Sequence, residues 1–549
     1  LTNQTHFAFL ALVMVSFSSR SLAEPHLLPE RVYQAAQERV AAGYYPTLVI
    51  AYVADGRSEV DAFGTLDDGK IPDGDTVFEI GSITKTFTAT LLAHAVQTGS
   101  VKLDAPLADL LPDFLIPTRN AKQITLLDVA TQFSGLPRLP TNLKPADEAN
   151  PYMDYGPVQL KSFLSEYKLP RDPGESYEYS NLGFGILGYA LAQHAHTSYV
   201  DLLRAAILRP LGMVMTDVTT TQALKGHLAQ GHGEDGHPVG EWDFDVETGA
   251  GAIRSTGNDM LRYLKANMGL GRSALVSAMK TAQEPRRDIN KNTRIGLAWM
   301  TKDHIIQHGG ATGGYVSFIG FLTDGSRGIV VLTNTASPLE ELAFAALNDE
   351  APLSKTQNRK TISLDAAALD DYIGVYKLSD TLIVTISRKD RQLYSQATGQ
   401  GPFLIFPRAR DEFFAKIDGI GLTFNRDANG KVSGFVLHQH GDVSAPKLSA
   451  ADAAKVNKAV VLDSSVLRDY VGKYQMEPNV ILELNLKDGQ LYAGLTGQPS
   501  FSIFAHAKDK LFYTVVDAQL DFERDDKGAL TGMVLHQGGE DHHGTRINP

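Results

Sequence analysis

Ser82 and Lys85 stand three residues apart in Phe78-Glu79-Ile80-Gly81-Ser82-Ile83-Thr84-Lys85-Thr86-Phe87. The segment runs on through apolar Leu91, Leu92 and Val96 and closes at Gly99. Helical spacing puts residues i and i+3 on one face, so the Ser82 hydroxyl and the Lys85 amine are predicted to meet at a helix N-terminus. That terminus carries unpaired N–H groups and partial positive charge. A hydroxyl is a weak nucleophile until a base takes its proton, and a desolvated lysine can do so. Ser-x-x-Lys also arises by chance in helices, so the pair needs partners elsewhere in the chain.

Two stretches offer them. Tyr179-Ser180-Asn181 follows Pro173-Gly174-Glu175. Alone it reads as a turn before a helix; beside a Ser-Lys pair it supplies a candidate base and an amide binder. A free phenol titrates near about 10, so it needs neighbouring cations to act as a base at neutral pH. Lys85 would be one. The second stretch is His308-Gly309-Gly310-Ala311-Thr312-Gly313-Gly314, just before two apolar runs. It is either a flexible loop or a strand edge whose backbone binds substrate.

The elements that must position these groups are legible in outline. Thr47 to Val53 reads as a buried strand, and Ser82 to Thr98 as a helix. Ile124 to Ala130 holds a second helix starting at Thr125, and Leu182 to His194 a third. Phe318–Leu322 and Gly328–Leu332 flank Asp324-Gly325, which predicts a hairpin. Helices mixed with antiparallel strands make an α+β or α/β domain.

The chain of 549 residues is long enough for two to four domains. Apolar residues make up 43% and charged residues 21%, an ordinary globular balance. A net charge of −12 without a basic tract argues against nucleic acid. The absence of cysteine excludes disulfides, thiolate catalysis and Cys-based zinc sites. The apolar run from Phe7 to Phe17 is too short to span a bilayer. It is followed by Ser21-Leu22-Ala23, with small residues at −3 and −1 before Glu24. This predicts a signal segment over 1–23 and export to the periplasm or medium, although the chain begins at Leu1 and no Lys or Arg precedes the run. No later stretch predicts a membrane span.

Beyond the polar stretch Lys355 to Lys360 the chain repeats itself. Asp371-Tyr372-Ile373-Gly374-Val375-Tyr376 returns as Asp469-Tyr470-Val471-Gly472-Lys473-Tyr474. Tyr376 and Tyr474, like His438 and His536, are 98 positions apart. A constant register over several blocks means duplication. Each copy alternates apolar and polar residues, with Asn429-Gly430, Asp418-Gly419 and Asp488-Gly489 as hairpin turns. Seven or eight strands per copy predict small barrels or sandwiches, joined by a helical or flexible linker over Ser449 to Lys458. The shared His438 and His536 read as structural.

Together and in this order, the three polar motifs resemble the serine β-lactamase and penicillin-binding protein superfamily. The similarity is greatest to its class C β-lactamase, D-alanyl-D-alanine carboxypeptidase and D-aminopeptidase branch. Ser134-Gly135-Leu136-Pro137 and Gly249-Ala250-Gly251-Ala252-Ile253-Arg254-Ser255-Thr256 also fit its pattern. The resemblance implies a catalytic domain over 24–354, followed by barrel repeats over 364–445 and 462–549, read as lipocalin-like. It implies Ser82 as acylated nucleophile, Lys85 as its activator and Tyr179 as general base, then acid. Asn181 would hold the substrate's acylamide, and the Ser82 and Ala311 backbone N–H groups would form the oxyanion hole beside Gly310. His308 departs from the class C pattern, which begins this motif with lysine. Histidine titrates near about 6.5 against about 10.4 for lysine, so strong β-lactamase activity is not implied, while weak β-lactamase activity, amide cleavage beside D-residues and ester cleavage stay open. No cofactor or metal is expected, and the partner is a small-molecule or peptide substrate.

Gly183-Phe184-Gly185-Ile186-Leu187-Gly188 fits a dinucleotide fingerprint but lacks the preceding strand, so close helix packing is expected. His227, His232 and His237 lie in a Gly-rich stretch read as a solvated loop rather than a metal site. The function expected is hydrolysis of a β-lactam or D-aminoacyl amide through an acyl-serine. The alternatives are a carboxylesterase on the same site and a cell-wall or β-lactam sensor that is acylated without turnover.

Overall fold

The computed structural model describes residues 26–549 except 380–381, 399, 417–419, 440, 457–461, 478–479, 488–489, 497–499, 514–517, 538–539 and 548–549. The expected signal segment, the turns at Asp418-Gly419 and Asp488-Gly489, and the end of the expected linker at Asn457 and Lys458 lie outside them.

The strand Thr47–Ala54 is buried at every position, which explains its unbroken apolar run. Leu48, Ile50 and Tyr52 face the helices Glu30–Ala41 and Glu340–Leu347. Val49, Ala51 and Val53 face the larger helical core on the other side. The strand sits between Arg57–Gly64 and Arg327–Thr333 in an eight-stranded antiparallel sheet. The predicted hairpin is present: Val316–Leu322 pairs with Arg327–Thr333. Next to it lies Ile305–Ala311, followed outward by Met300–Lys302, Thr293–Ile295 and Arg287–Asn290.

The predicted helix at Ser82 begins differently. Gly81–Ile83 is a 3₁₀ turn, and the α-helix runs Thr84–Gln97. Its residues from Thr84 to Ala93 are all buried, so the helix crosses the core rather than lying on it. Its threonine hydroxyls are satisfied internally: Thr90 Oγ1 donates to the Thr86 carbonyl at 2.9 Å and Thr88 Oγ1 to that of Gly249 at 2.7 Å. Phe87 stacks on Tyr263 at 3.8 Å; burying a ring of this size stabilises by about 1.5–3 kcal/mol. Thr125 caps Leu126–Ala130 through a capping box with Asp128. Gly183, Gly185 and Gly188 lie in the helix Asn181–His194. A Cβ on Gly188 would fall 2.9 Å from the Gly249 Cα, so these glycines permit close helix packing, as expected.

The two C-terminal repeats are eight-stranded antiparallel barrels with the strands in sequence order. The second is closed by pairing of Gly472–Glu477 with Glu540–Ile547. In the first, the last strand, Asp442–Pro446, is shorter. Its seam consists of a Tyr376–Lys447 bridge and the Leu448 N–H donating to the Val375 carbonyl at 2.8 Å. Both copies carry the same polar lock. Tyr372 donates to Asp411 at 2.9 Å and Tyr470 to Asp509 at 3.0 Å. Arg426 and Arg524 hold those aspartates through Nε at 2.9 and 3.0 Å. His438 and His536 bond Asp442 and Asp541 on adjoining strands at 2.7 and 2.6 Å.

The expected linker over Ser449 to Lys458 is helical at Ala450–Val456. The stretch Lys355 to Lys360, read as a linker, is bound to the catalytic domain. The Arg359 N–H donates to the Ala42 carbonyl at 2.7 Å, and its guanidinium lies 3.8 Å from the Tyr44 ring centroid. No helix among the described residues is long and apolar enough to cross a membrane.

Candidate active site

Three sequence-distant segments converge at Lys85. The 3₁₀ turn brings Ser82, and the following helix brings Lys85 itself. The helix Asn181–His194 brings Asn181, and the short helix Thr248–Gly251 brings Ala250. Lys85 is fully buried. Its Nζ donates to Asn181 Oδ1 at 2.9 Å and to the Ala250 carbonyl at 2.7 Å, and lies 3.0 Å from Ser82 Oγ. Two pure acceptors account for two N–H bonds. A neutral amine in this setting turns its lone pair toward the Ser82 hydroxyl. Burial drives the Lys85 amine down to about 7; Glu247 opposes that shift and Arg138 adds to it.

Tyr179 completes the group. Its phenol hydrogen-bonds Ser82, and Lys85 Nζ lies 5.0 Å from its ring centroid. Burial holds the phenol above its ordinary value, against the Ser82 bond and the Arg138 charge. Tyr179 was expected to serve as a base with Lys85 favouring its phenolate; burial, opposed by the Ser82 bond and the Arg138 charge, favours the neutral phenol. Ser180 fixes the segment. Its Oγ accepts from the Gly183 N–H at 2.8 Å and donates to the Pro137 carbonyl at 2.6 Å, capping the helix and tying it to the Ser134–Pro137 loop.

His308, Gly310 and Ala311 belong to the strand Ile305–Ala311, not to a flexible loop. Its outer neighbour, Met300–Lys302, pairs only with residues 305–307. Residues 308–311 are therefore bonded to Val316–Ile319 on one side and, among the described residues, have no strand paired on the other. Gly81, at φ +48°, is pressed against that strand: a Cβ there would fall 2.7 Å from both the N and O of Ala311. A Cβ on Gly310 would collide with the Ile80 carbonyl oxygen. The two glycines thus bring the backbone of the Ser82 turn against that of Ala311. His308 is 3% exposed, and its Nδ1–H donates to the Gly309 carbonyl at 2.6 Å. Burial and the nearby Lys85 push its imidazole down to about 4, so it is neutral at physiological pH.

Three groups escaped the sequence reading. Glu247 is 1% exposed, and neither carboxylate oxygen has a hydrogen-bond partner. Burial raises its carboxyl to about 7, and Lys85 opposes this. Arg254, fully buried, binds Glu241 and Asp243 at 3.0 Å each and Glu79 at 3.4 Å. It anchors the segment whose Trp242 and Phe244 rings pack on Tyr152, with Trp242 against Gly313. Arg138 is exposed, 5.3 Å from the Tyr179 ring centroid. A lone charge among small and apolar residues was the available signal for Arg254; Glu247 follows Glu241, Asp243 and Asp245 and carried no such signal.

His232 departs from the solvated-loop reading. It is 7% exposed and bonded to the Asn334 carbonyl and to Asp67, both at 3.1 Å. Among the described residues, the cluster with metal-ligand geometry is His26, Glu59 and Asp61, remote in sequence from the motifs above.

The β-lactamase family model matches residues 32–351. A model described as a domain of unknown function, DUF3471, matches twice, at 358–452 and 456–546. The D-alanyl-D-alanine-carboxypeptidase/endopeptidase AmpH of Escherichia coli K12 is 29% identical over 60% of this chain and 90% of that protein. A β-lactamase of Pseudomonas fluorescens is 26% identical over 54% of this chain and 91% of its own length. The solved class C β-lactamase of Rhodobacter sphaeroides superposes with a TM-score of 0.50 at 25% identity, covering 58% of this chain and 98% of that one.

Proposed function

Because the chain belongs to the β-lactamase family, we propose that it is a serine hydrolase that opens a β-lactam or D-aminoacyl amide bond through an acyl-Ser82 intermediate. The carrying observation is the Lys85 amine, 3.0 Å from Ser82 Oγ with two N–H bonds directed elsewhere.

Ser82 Oγ attacks the substrate carbonyl while its proton passes to Lys85 Nζ. The developing oxyanion is held by the Ser82 and Ala311 backbone N–H groups, the geometry that Gly81 and Gly310 permit. Such preorganised donors are commonly the largest single contribution to the rate. Tyr179 gives its proton to the leaving nitrogen as the carbon–nitrogen bond breaks, and the Lys85 ammonium restores the phenol. Asn181 Oδ1 is engaged by Lys85, which leaves the side-chain NH₂ to receive the substrate's acylamide. Water then attacks the acyl ester, releasing the acid and Ser82. In this reading Lys85, expected as the activator of Ser82, takes its proton directly, and Tyr179, expected as base and then acid, keeps the acid role; burial lowers the Lys85 amine and raises the Tyr179 phenol.

The similarity to the Escherichia coli D-alanyl-D-alanine-carboxypeptidase/endopeptidase supports the D-peptide side of this reading. Carboxylester hydrolysis is a second reading, favoured by His308, which offers no positive charge to a leaving-group carboxylate. Export, by the apolar segment Phe7 to Phe17, belongs to the same proposal; its check is the distribution of the expressed chain between cytoplasm and periplasm. Stopped-flow hydrolysis of nitrocefin, a D-alanine anilide and a p-nitrophenyl ester tests the function. Steady turnover of either of the first two supports the leading reading. Turnover of the ester alone supports the second, and a stoichiometric burst without a steady phase supports a sensor.

A further inference from the structure

A site that handles anionic substrates needs a positive charge. In this one the obvious carriers are unavailable. His308 is buried and neutral at physiological pH. Lys85 is buried and surrounded by three partners of its own.

Arg138 is placed to supply the charge. It follows the Ser134–Pro137 loop that Ser180 ties down. Its backbone carbonyl accepts the N–H groups of Asn181 at 3.0 Å and Leu182 at 3.3 Å. Its position beside Asn181 is therefore fixed by the main chain. The side chain is exposed, with its guanidinium carbon 5.3 Å from the Tyr179 ring centroid. Its charge is felt by Tyr152, Tyr177 and Tyr179. Among the described residues the guanidinium forms no ion pair. A guanidinium beside an aromatic ring keeps its in-plane N–H donors, which take a carboxylate in a two-point contact.

We infer that Arg138 is the subsite for a carboxylate carried on the acyl portion of the substrate, on the Asn181 side of Ser82. This rests on the acyl-serine reading and on Asn181 as the residue that receives the acylamide. It makes the preferred substrate an acyl-D-amino acid derivative with an acidic acyl group, and not one recognised through a carboxylate on the leaving group.

The test is a matched pair of D-alanine thioesters, N-succinyl and N-butyryl, with one uncharged leaving group. The wild-type enzyme is expected to favour the succinyl substrate about tenfold or more in kcat/KM, mainly through KM. The preference should shrink as salt rises, because an exposed charge pair is screened. Arg138→Gln should bring the ratio close to one, and Arg138→Lys should retain part of it. Circular dichroism of both variants verifies the fold, and a ratio within one protein is insensitive to the amount of active enzyme. A wild-type ratio near one, or a ratio unchanged in Arg138→Gln, overturns the inference while leaving the hydrolase reading intact. So does a preference that follows a carboxylate moved to the leaving group. If mass spectrometry finds neither acyl group on Ser82, the hydrolase reading fails and this inference falls with it.

Discussion

Glu247 and Lys85 place an acid and a base in one dry region without sharing a hydrogen bond. The bonds of Lys85 go to Ser82, Asn181 and Ala250, and both Glu247 oxygens are unpartnered. The carboxylate therefore acts on the amine through space, favouring its charged form. Burial opposes it, as does the positive charge of Arg138.

Glu247→Gln removes that influence at constant size. The Lys85 amine then loses its proton at lower pH, so a larger fraction is ready to accept the Ser82 proton. The acid limb of the acylation rate is expected to move toward lower pH in this variant. Arg138→Gln should move it the other way. Pre-steady-state acylation measured from pH 5 to 10 decides the matter, and a limb that stays put in Glu247→Gln removes the carboxylate from this account.

Lys85→Met takes away the base while keeping an unbranched side chain. A positioned base contributes typically about 10²–10⁴-fold, so acylation should slow by that order. Thermal unfolding should move to lower temperature, because the Asn181 Oδ1 and the buried Ala250 carbonyl lose their donor, and an orphaned buried acceptor costs about 1–3 kcal/mol. Quenched-flow mass spectrometry of Ser82 follows the acyl-enzyme directly. Retention of the wild-type rate would exclude Lys85 as base.

Gly310→Ala forces the strand away from the Ile80 carbonyl, and so moves Ala311 relative to Ser82. Misplacing one oxyanion donor costs about 3–4 kcal/mol of transition-state stabilisation. The loss should appear in kcat rather than KM. Gly81→Ala, at φ +48° and 2.7 Å from Ala311, should lose stability as well as rate, since its backbone conformation is also strained.

Arg254→Met leaves Glu79, Glu241 and Asp243 without their shared cation. Breaking a buried ion pair from one side costs about 3–5 kcal/mol. Denaturant unfolding of the full chain, followed by Trp242 and Trp299 fluorescence, should show the catalytic-domain transition at lower denaturant. The barrel transition, followed by far-ultraviolet circular dichroism, should remain where it was.

His308→Lys replaces the imidazole of the third motif by an amine whose ordinary pKa is about four units higher, so more positive charge is retained there. Turnover of β-lactams carrying a carboxylate beside the ring is expected to rise by about tenfold, equivalent to about 1.4 kcal/mol. No gain with the fold intact would mean that the charge at this position does not limit such substrates.

Much of this was legible from sequence because the signals are local. Ser82 and Lys85 are one helical turn apart. Tyr179 and Asn181 flank the cap of a helix. The His308 stretch adjoins two strands that show as continuous apolar runs, and the duplication shows as a fixed offset of 98 between Tyr376 and Tyr474. Residue type and short-range periodicity carry that information, because backbone geometry sets which neighbours share a face. Only the tertiary structure shows which charges surround Lys85 and Tyr179. Glu247, Arg138 and Arg254 are ordinary charges in the sequence. Their effect on Lys85, Tyr179 and the Trp242 segment comes from desolvation and from approaches between distant segments. The protonation state of Lys85 or Tyr179 depends on how much water the fold removes and which charges it leaves close by, and neither quantity is written in the spacing of a motif.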